Sequence, residues 1–224
     1  MRKHRHGYSE DIAAGIVEKM LRAIRYCHIN GVVHRDIKLD NFIYATEGED
    51  AELKLIDFGF ACKVSPGHEA MCERLGTLSY MAPELLSATA KNAYNSAVDM
   101  WSLGVVTFLL LSGKRPFHDT DRKRKMRLIK HSPLVFEGEV WQRVSSEARD
   151  FVASLLQKDP STRPSPRDAL AHPWLERRGQ LRASGSCALM LSRSADEIVA
   201  SLEASRDRLR HLERYVLHRH VDVW

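Results

Sequence analysis

Apolar residues recur every three or four positions near the start of the chain, at Ile12, Ile16, Met20, Ile24 and Cys27. This spacing matches the 3.6-residue period of an α-helix and predicts one helix over about 10–28 with a wide apolar face. Ser9 stands where a helix N-cap is expected, and the acidic residues Glu10 and Asp11 suit the positive end of the helix dipole. Asn30 and Gly31 favour a turn and predict the end of the helix.

Two short apolar runs follow, at 42–44 and 53–56, with the acidic link 46–50 between them. Short strands joined by such a link predict a β-hairpin. The hairpin would place Asn41 at the start of one strand and Asp57 at the end of the other. The two side chains would then face each other across a rigid support.

A second long apolar stretch begins at Asp99 and continues through Val105, Val106 and the run 108–111. It is apolar nearly all round, which predicts a helix buried on every side. Its length favours a core helix over a membrane span. Helical spacing returns between Ala148 and Leu156, where we predict another buried helix.

The ends of the chain differ in composition from the middle. Residues 1–7 are basic and are interpreted as a tail. Residues 176–194 are polar and rich in Ser, Arg and Gly, which predicts a linker. Residues 195–224 carry arginines and apolar side chains mostly three or four positions apart, which predicts an amphipathic helix.

The composition is that of an ordinary globular protein, with 224 residues of which 44% are hydrophobic and 28% charged. A net charge of +5 is too small to argue for nucleic acid binding. The four cysteines are scattered without a C-x-x-C pair, so thiols in a reducing compartment are favoured over disulfides or zinc.

No apolar run reaches about 18 residues, so no membrane span is predicted. The basic start lacks the apolar segment of a secretory signal, and we expect a cytoplasmic protein. The basic cluster 122–130 is interpreted as a solvated helix face. Nuclear targeting and an acidic partner are the alternatives for this cluster.

Candidate chemistry is concentrated in the loop His34-Arg35-Asp36-Ile37-Lys38-Leu39-Asp40-Asn41. Phosphoryl transfer to a hydroxyl needs an Asp that accepts or orients the proton and groups that hold Mg²⁺ and offset charge on the moving phosphoryl group. Asp36, Asn41 and Lys38 are the residue types for these tasks. Asp57, in Asp57-Phe58-Gly59, adds the hard carboxylate that Mg²⁺ prefers.

These two motifs, followed by Ala82-Pro83-Glu84, stand in the order of the protein-kinase signature, with Ile37 in place of its Leu. The chain therefore resembles the eukaryotic protein kinases through most of residues 8–175. Lys38 is typical of their serine/threonine branch, and the likeness is strongest to the calcium/calmodulin-regulated members. The resemblance implies a mainly α fold, the large C-terminal lobe of a kinase with a short β-hairpin. It also implies ATP-dependent phosphorylation of protein Ser or Thr, with ATP and Mg²⁺ as cofactors.

The resemblance assigns catalytic roles to five residues. Asp36 would be the base and Lys38 the charge stabiliser, with Thr77 close to both. Asn41 and Asp57 would bind the metal and, through it, the nucleotide.

Three further residues are structural by the same resemblance. Glu84 would form a buried ion pair with Arg163, and Asp99 would hold the backbone of the His34–Asp36 turn.

By the same resemblance, residues 60–81 would form the activation segment. Relatives that need activating phosphorylation carry Thr three residues before the Gly76-Thr77 pair, where this chain has Glu73. We hypothesise that Glu73 offers a fixed negative charge to Arg35 and Lys63, which would otherwise bind the phosphate. The alternative is a solvated surface Glu.

The sequence contains no G-x-G-x-x-G loop and nothing that resembles the strand Lys of the small lobe. We therefore expect a large lobe alone, which binds ATP poorly and transfers phosphate slowly or not at all. A non-catalytic, pseudokinase-like binding module and an incomplete gene-model fragment are the alternatives. The floor that a small lobe covers would be exposed and apolar.

Residues 195–218 resemble the junction segment that follows the catalytic domain of calcium-dependent protein kinases. This likeness implies calmodulin or an EF-hand module as a partner, although no calcium-loop motif occurs in the chain. A helix that packs on the lobe is the alternative.

Overall fold

The computed structural model describes residues 7–45, 52–64, 71, 73, 75–87 and 94–176. The predicted linker 176–194 lies outside these ranges except for its first residue, and the predicted helix 195–224 lies outside them entirely. Helices in the described part are α1 (Glu10–Ile29), α2 (Pro83–Leu86), α3 (Ala97–Ser112), α4 (Arg122–His131), α5 (Glu139–Arg143), α6 (Ser146–Leu155) and α7 (Pro166–Leu170). Strands are β1 (Val32–Val33), β2 (Phe42–Tyr44), β3 (Leu53–Leu55) and β4 (Cys62–Lys63).

Helix α3 is the centre of the core, as the sequence predicts. All its residues are buried except Ala97 and Leu109, and it packs against α1 and α6. Each large apolar side chain removed from water in this way stabilises the fold by about 1.5–3 kcal/mol. No helix in the described ranges is long and apolar enough to cross a membrane.

Helix α1 begins where the sequence predicts, but its first turn is held differently. Ser9 occupies the N-cap position, and its side chain makes no capping hydrogen bond. The carboxylate of Glu10 instead accepts hydrogen bonds from Ser145 N (2.9 Å), Ser145 Oγ (2.6 Å) and Trp174 Nε1 (3.0 Å). Glu10 therefore joins α1 to the start of α6 and to the end of the described chain.

The predicted hairpin is present, with β2 and β3 antiparallel and Phe42 opposite Leu55. Ile56 N also donates to Asn41 O at 2.9 Å, so the pairing reaches the last residue of the candidate catalytic loop. The second sheet, in which Val32 of β1 pairs with Lys63 of β4, has no counterpart in the hydrophobic pattern. Both candidate loops are thus anchored by paired strands.

Candidate active site

The backbone at His34 and Arg35 is held by the buried carboxylate of Asp99. Oδ2 accepts from His34 N at 2.9 Å, and Oδ1 accepts from Arg35 N at 2.8 Å. His28 Nε2 lies 2.9 Å from Oδ2 and completes the cluster. These bonds hold Arg35 at φ 67°, a conformation that non-glycine residues rarely adopt. The contact expected between Asp99 and this turn is present.

Asp36 is the centre of the polar cluster in this loop. Lys38 Nζ donates to its Oδ2 at 2.5 Å, while Thr77 N and Oγ1 donate to its Oδ1 at 2.9 and 2.8 Å. Lys38 Nζ also lies 3.3 Å from Thr77 Oγ1. Burial by itself would raise the pKa of Asp36, but the bonds from Lys38 and Thr77 outweigh it and the pKa is lowered. Asp36 is therefore a carboxylate at neutral pH.

Gly76 allows Thr77 to approach Asp36. Its φ is 109°, and a Cβ at this position would lie 2.5 Å from the carbonyl oxygen of Arg35. Only glycine accommodates both the dihedral angle and the close approach. Two segments that are 41 residues apart in sequence meet here.

Asn41 is buried behind Asp36. Its Nδ2 donates to Asp36 O at 2.8 Å and lies 3.3 Å from Asp36 Oδ2. Both bonds use the amide nitrogen, and an amide oxygen is an acceptor that can also serve as a ligand for a cation.

Asp57 follows β3 and Ile56, with φ 62° and an exposed side chain. In the described ranges, no three His, Cys, Asp or Glu side chains lie close enough to hold a metal ion. A cation here would use the carboxylate of Asp57, the amide oxygen of Asn41 and phosphate oxygens of a substrate. This donor set fits Mg²⁺, which binds through one or two carboxylates together with phosphates.

The aromatic residues beside Asp57 are exposed to solvent. Phe58 is 49% and Phe60 41% exposed, although the edge of Phe58 contacts the ring of buried His34 at a centroid distance of 5.0 Å. Exposed Phe side chains next to the exposed carboxylate of Asp57 indicate a surface suited to further packing.

The side chain of Arg35 contacts the activation segment. Its Nη1 donates to Glu73 Oε2 at 3.1 Å and to Tyr94 Oη at 3.2 Å, and Tyr94 Oη donates to Glu73 O at 2.6 Å. Burial raises the pKa of Tyr94, so its hydroxyl stays protonated as a donor. Tyr94 also pairs through its backbone with Met71. The four residues form a clamp between the segment and the catalytic loop.

Lys63 does not take part in the clamp, so this half of the hypothesis about Glu73 is wrong. Lys63 is exposed in β4, where its backbone pairs with Val32. It forms no ion pair within the described ranges, because Glu73 extends its carboxylate toward Arg35 instead.

Glu84 and Arg163 form the ion pair that the sequence predicts. Arg163 Nη1 and Nη2 donate to the two carboxylate oxygens at 2.6 and 2.8 Å. The Arg163 side chain is fully buried and also bonds to the carbonyl oxygens of Gln157 and Ala97. This bidentate pair ties α2 to the segment before α7.

Sequence reasoning missed His28 and Tyr94 as members of the site. His28 reaches Asp99 from 71 positions away in sequence, and Tyr94 reaches Arg35 from 59. Neither stands in a recognisable motif of its own. Only the fold brings them to the loop.

The mainly helical fold and this set of contacts agree with the resemblance to the protein kinases, and so does comparison with known proteins. The protein kinase domain family matches residues 1–175. The chain belongs to the protein kinase family.

Its relatives indicate the branch. A "CDPK-related protein kinase" of Daucus carota is 38% identical over 175 residues, which are 78% of this chain and 28% of that protein. The "Calcium/calmodulin-dependent protein kinase type II subunit delta" of Oryctolagus cuniculus is 37% identical over 174 residues, 78% of this chain and 32% of that protein. The "Serine/threonine-protein kinase H1 homolog" of Danio rerio is 39% identical over 172 residues, 76% and 40% of the two chains.

The chain is thus similar to serine/threonine kinases of the calcium- and calmodulin-dependent branch. It matches well under half the length of each of these relatives.

Proposed function

We propose that this chain carries the acceptor side of a protein serine/threonine kinase site and supports transfer of the γ-phosphoryl group of ATP to a protein hydroxyl. One observation carries the proposal. The carboxylate of Asp36, kept charged in a buried position, converges with Lys38, Thr77 and Asn41. A buried charged group is costly unless it is paired, and such groups are frequent at functional sites.

Each residue has a distinct task in the transfer. Asp36 accepts a hydrogen bond from the incoming hydroxyl and orients it, while Lys38 and Thr77 fix the carboxylate in place. Lys38 also offsets negative charge on the phosphoryl group as it moves. Asn41 and Asp57 would hold Mg²⁺, which when bound neutralises charge on the phosphate oxygens.

The clamp supports the hypothesis that the activation segment is ordered without being phosphorylated. Glu73 lies 3.1 Å from Arg35, where a phosphate would otherwise be placed. The Glu73 side chain is 70% exposed, so the ion pair itself contributes little, about 0.2–1 kcal/mol. Tyr94 adds buried hydrogen bonds to the same segment. Glu73→Ala should therefore lower the activity of an intact kinase modestly, and an unchanged rate would contradict this role.

A phosphotransfer assay tests the main proposal. The chain is incubated with radiolabelled ATP, Mg²⁺ and a Ser/Thr protein substrate, alone and as a chimaera behind the small lobe of an active protein kinase. We expect weak or no transfer by the chain alone and clear transfer by the chimaera. Asp36→Asn should abolish transfer while leaving the fold intact. The proposal would be contradicted by a chimaera that folds but is inactive. It would also be contradicted if Asp36→Asn left the transfer rate of the chimaera unchanged.

A non-catalytic binding module is the second candidate, and the exposed Phe58 and Phe60 favour it. A partner that covers these rings would use the same surface without chemistry. In that case Phe58→Ser would abolish partner binding, whereas Asp36→Asn would change neither binding nor any measured transfer.

We also propose that residues 195–218 bind calmodulin or an EF-hand module, on the basis of their resemblance to a junction segment. The segment lies outside the described residues. A synthetic peptide of residues 195–218 should bind calmodulin with calcium and lose binding when calcium is chelated. Binding that is unchanged when calcium is chelated would contradict the proposal of a calcium-dependent partner.

A further inference from the structure

The strongest feature that the proposed function leaves unexplained is the positive charge around α4. Eight of the eighteen residues 114–131 are Lys or Arg, and only Asp119 and Asp121 are acidic. The net charge of this stretch therefore exceeds the +5 of the whole chain. Positive charge is concentrated here rather than spread over the surface.

The charges on α4 are unfavourable for the helix that carries them. Arg122, Lys123 and Arg124 occupy its first turn, at the positive end of the helix dipole. Asp121 offsets them only in part, with its side chain accepting from Arg124 N at 2.7 Å. Lys123 and Arg127 add a like-charge pair at i and i+4, which also destabilises a helix. Local conflicts of this kind are expected where a surface serves binding.

Within the described ranges, these cations have no carboxylate partner. Arg122, Lys123, Arg124 and Arg127 are exposed. Ile129, which is buried, anchors the opposite face of α4. The basic face is thus directed to solvent with its charges available.

The basic face adjoins the candidate acceptor site. Helix α4 packs against α2, which directly follows the segment that carries Thr77, Tyr80 and Met81. Arg115, from the same basic stretch, lies with its guanidinium 5.6 Å from the ring of Tyr80. Tyr80 and Met81 lie around the same small gap in the packing as Asp36. The positive charge of Arg115 therefore lies close to the segment that leads from Asp36 to α4.

We propose that this face, residues 114–131, docks an acidic segment of the protein substrate whose hydroxyl is presented to Asp36. The inference rests on the proposed phosphotransfer to protein and names the class of substrate. The ten residues of α4 span about 15 Å, the reach of about five extended residues. Five consecutive acidic residues would match the length of the helix.

Two other anionic partners fit the surface less well. Helix α4 carries no Phe, Tyr or Trp on which bases could stack. Its apolar residues Met126, Leu128 and Ile129 are partly or fully buried, so none is available for insertion into a bilayer. An acidic peptide can bind through ion pairs with the exposed Lys and Arg side chains of α4 alone.

Binding can be measured without ATP, by fluorescence anisotropy of a labelled peptide with about five consecutive glutamates and one serine. The full chain is compared with R122E/K123E/R124E and with R25E/R143E/R167E. The second variant reverses three exposed cations elsewhere and has the same net charge. The charge-reversed helix should fold at least as well, because Glu suits a helix N-terminus. Melting temperatures check this, and R122Q/K123Q/R124Q serves if reversal disturbs the fold.

We expect peptide binding to weaken about tenfold or more in R122E/K123E/R124E and to stay near wild type in the control. A matched peptide with glutamines should not bind. Equal binding by both variants would overturn the proposal. A second result would also overturn it: the chain binds phosphatidylserine vesicles or single-stranded RNA through α4, and the acidic peptide does not compete for this binding. Because no phosphate is transferred, failure here is distinct from failure of the Asp36 assay.

Discussion

Asp36 is almost completely buried and remains ionised because its partners are donors. A carboxylate with a lowered pKa is a weak base, so in the proposed transfer its main contribution would be to accept a hydrogen bond from the substrate hydroxyl and orient it. Lys38 and Thr77 supply the bonds that keep it charged. Thr77 reaches it only because Gly76 has no side chain, so the site depends on two adjacent residues of the activation segment.

Thr77→Val should raise the pKa of Asp36, since one of the hydrogen bonds to the carboxylate is lost. A bond to a charged group contributes about 1.5–3 kcal/mol, and we expect transfer by the chimaera to fall by about tenfold or more. Carbon-13 NMR of the carboxyl group measures the pKa, and Thr77→Ser is the matched control that keeps the donor. An unchanged pKa in Thr77→Val would show that the hydroxyl does not stabilise the charge.

Acid should weaken the fold through the same residue. The pKa of Asp36 is lowered in the folded chain, so its stabilising contribution is present above the ordinary value of 3.8 and is lost as pH falls through the lower folded value. Below about pH 4, wild type should lose unfolding free energy faster than Asp36→Asn in urea titrations. If wild type and Asp36→Asn lost unfolding free energy equally as the pH fell, the lowered pKa of Asp36 would be contradicted.

Gly76→Ala should destabilise the chain more than Gly138→Ala. Both glycines have positive φ, 109° and 98°, but the new Cβ would clash with Arg35 O only at position 76 and would meet nothing within 4 Å at position 138. Strain at positive φ costs about 1–3 kcal/mol, and the clash adds to it. Urea denaturation compares the two, and equal losses would mean that the loop moves freely away from Arg35.

At the scale of elements, the site is held by long-range polar contacts between helices and loops. Asp99 at the start of α3 holds the catalytic loop, Glu10 joins α1 to α6, and Arg163 joins α2 to the segment before α7. Each contact satisfies buried groups that would otherwise be unpaired. The loops keep their geometry because the helices behind them are fixed.

Removal of Arg163 alone should be severe. Arg163→Met leaves the half-buried carboxylate of Glu84 without its bidentate partner, and we expect a loss of about 3–5 kcal/mol of unfolding free energy. The double variant Arg163→Met/Glu84→Leu removes both charges and should recover much of this loss. Chemical denaturation measures the unfolding free energies of wild type, the single variant and the double variant. A double variant that is as unstable as the single one would assign the cost to the carbonyl bonds of Arg163 instead.

The sequence predicts the elements well where the hydrophobic period is long. The first helix was expected over 10–28 and runs Glu10–Ile29, and the hairpin strands agree within one residue. It misses β1 and β4, because two-residue strands carry no period. It also misses His28 and Tyr94 and misplaces Lys63, because their contacts are set by distant parts of the chain. Motif order alone suggests which residues form the candidate site, whereas their supporting residues emerge only from the fold.

At the scale of the molecule, the described chain is a helical body with two small two-stranded sheets and an exposed aromatic pair beside the cleft. Phe58 is 49% and Phe60 41% exposed, and both follow closely after Asp57 in sequence. Exposed apolar patches of this kind promote association. The behaviour of the isolated chain in solution should therefore depend on them.

Phe58→Ser/Phe60→Ser should reduce concentration-dependent light scattering of the purified chain, because two exposed rings are replaced by hydroxyls. Val135→Ser is the control, since Val135 is also 49% exposed but lies in another part of the chain. We expect scattering to fall in the double Phe variant and to stay near wild type in the control. Equal scattering in all three would place the association surface elsewhere.

The bonds from Glu10 to Ser145 and Trp174 connect positions 135 and 164 residues apart. During synthesis on the ribosome, α1 emerges long before either partner exists. The carboxylate of Glu10 therefore stays in water until residue 174 has been translated. These bonds also bring Glu10 close to Trp174, so a circular permutant of residues 7–176 in which a short linker joins residue 176 to residue 7 should still fold.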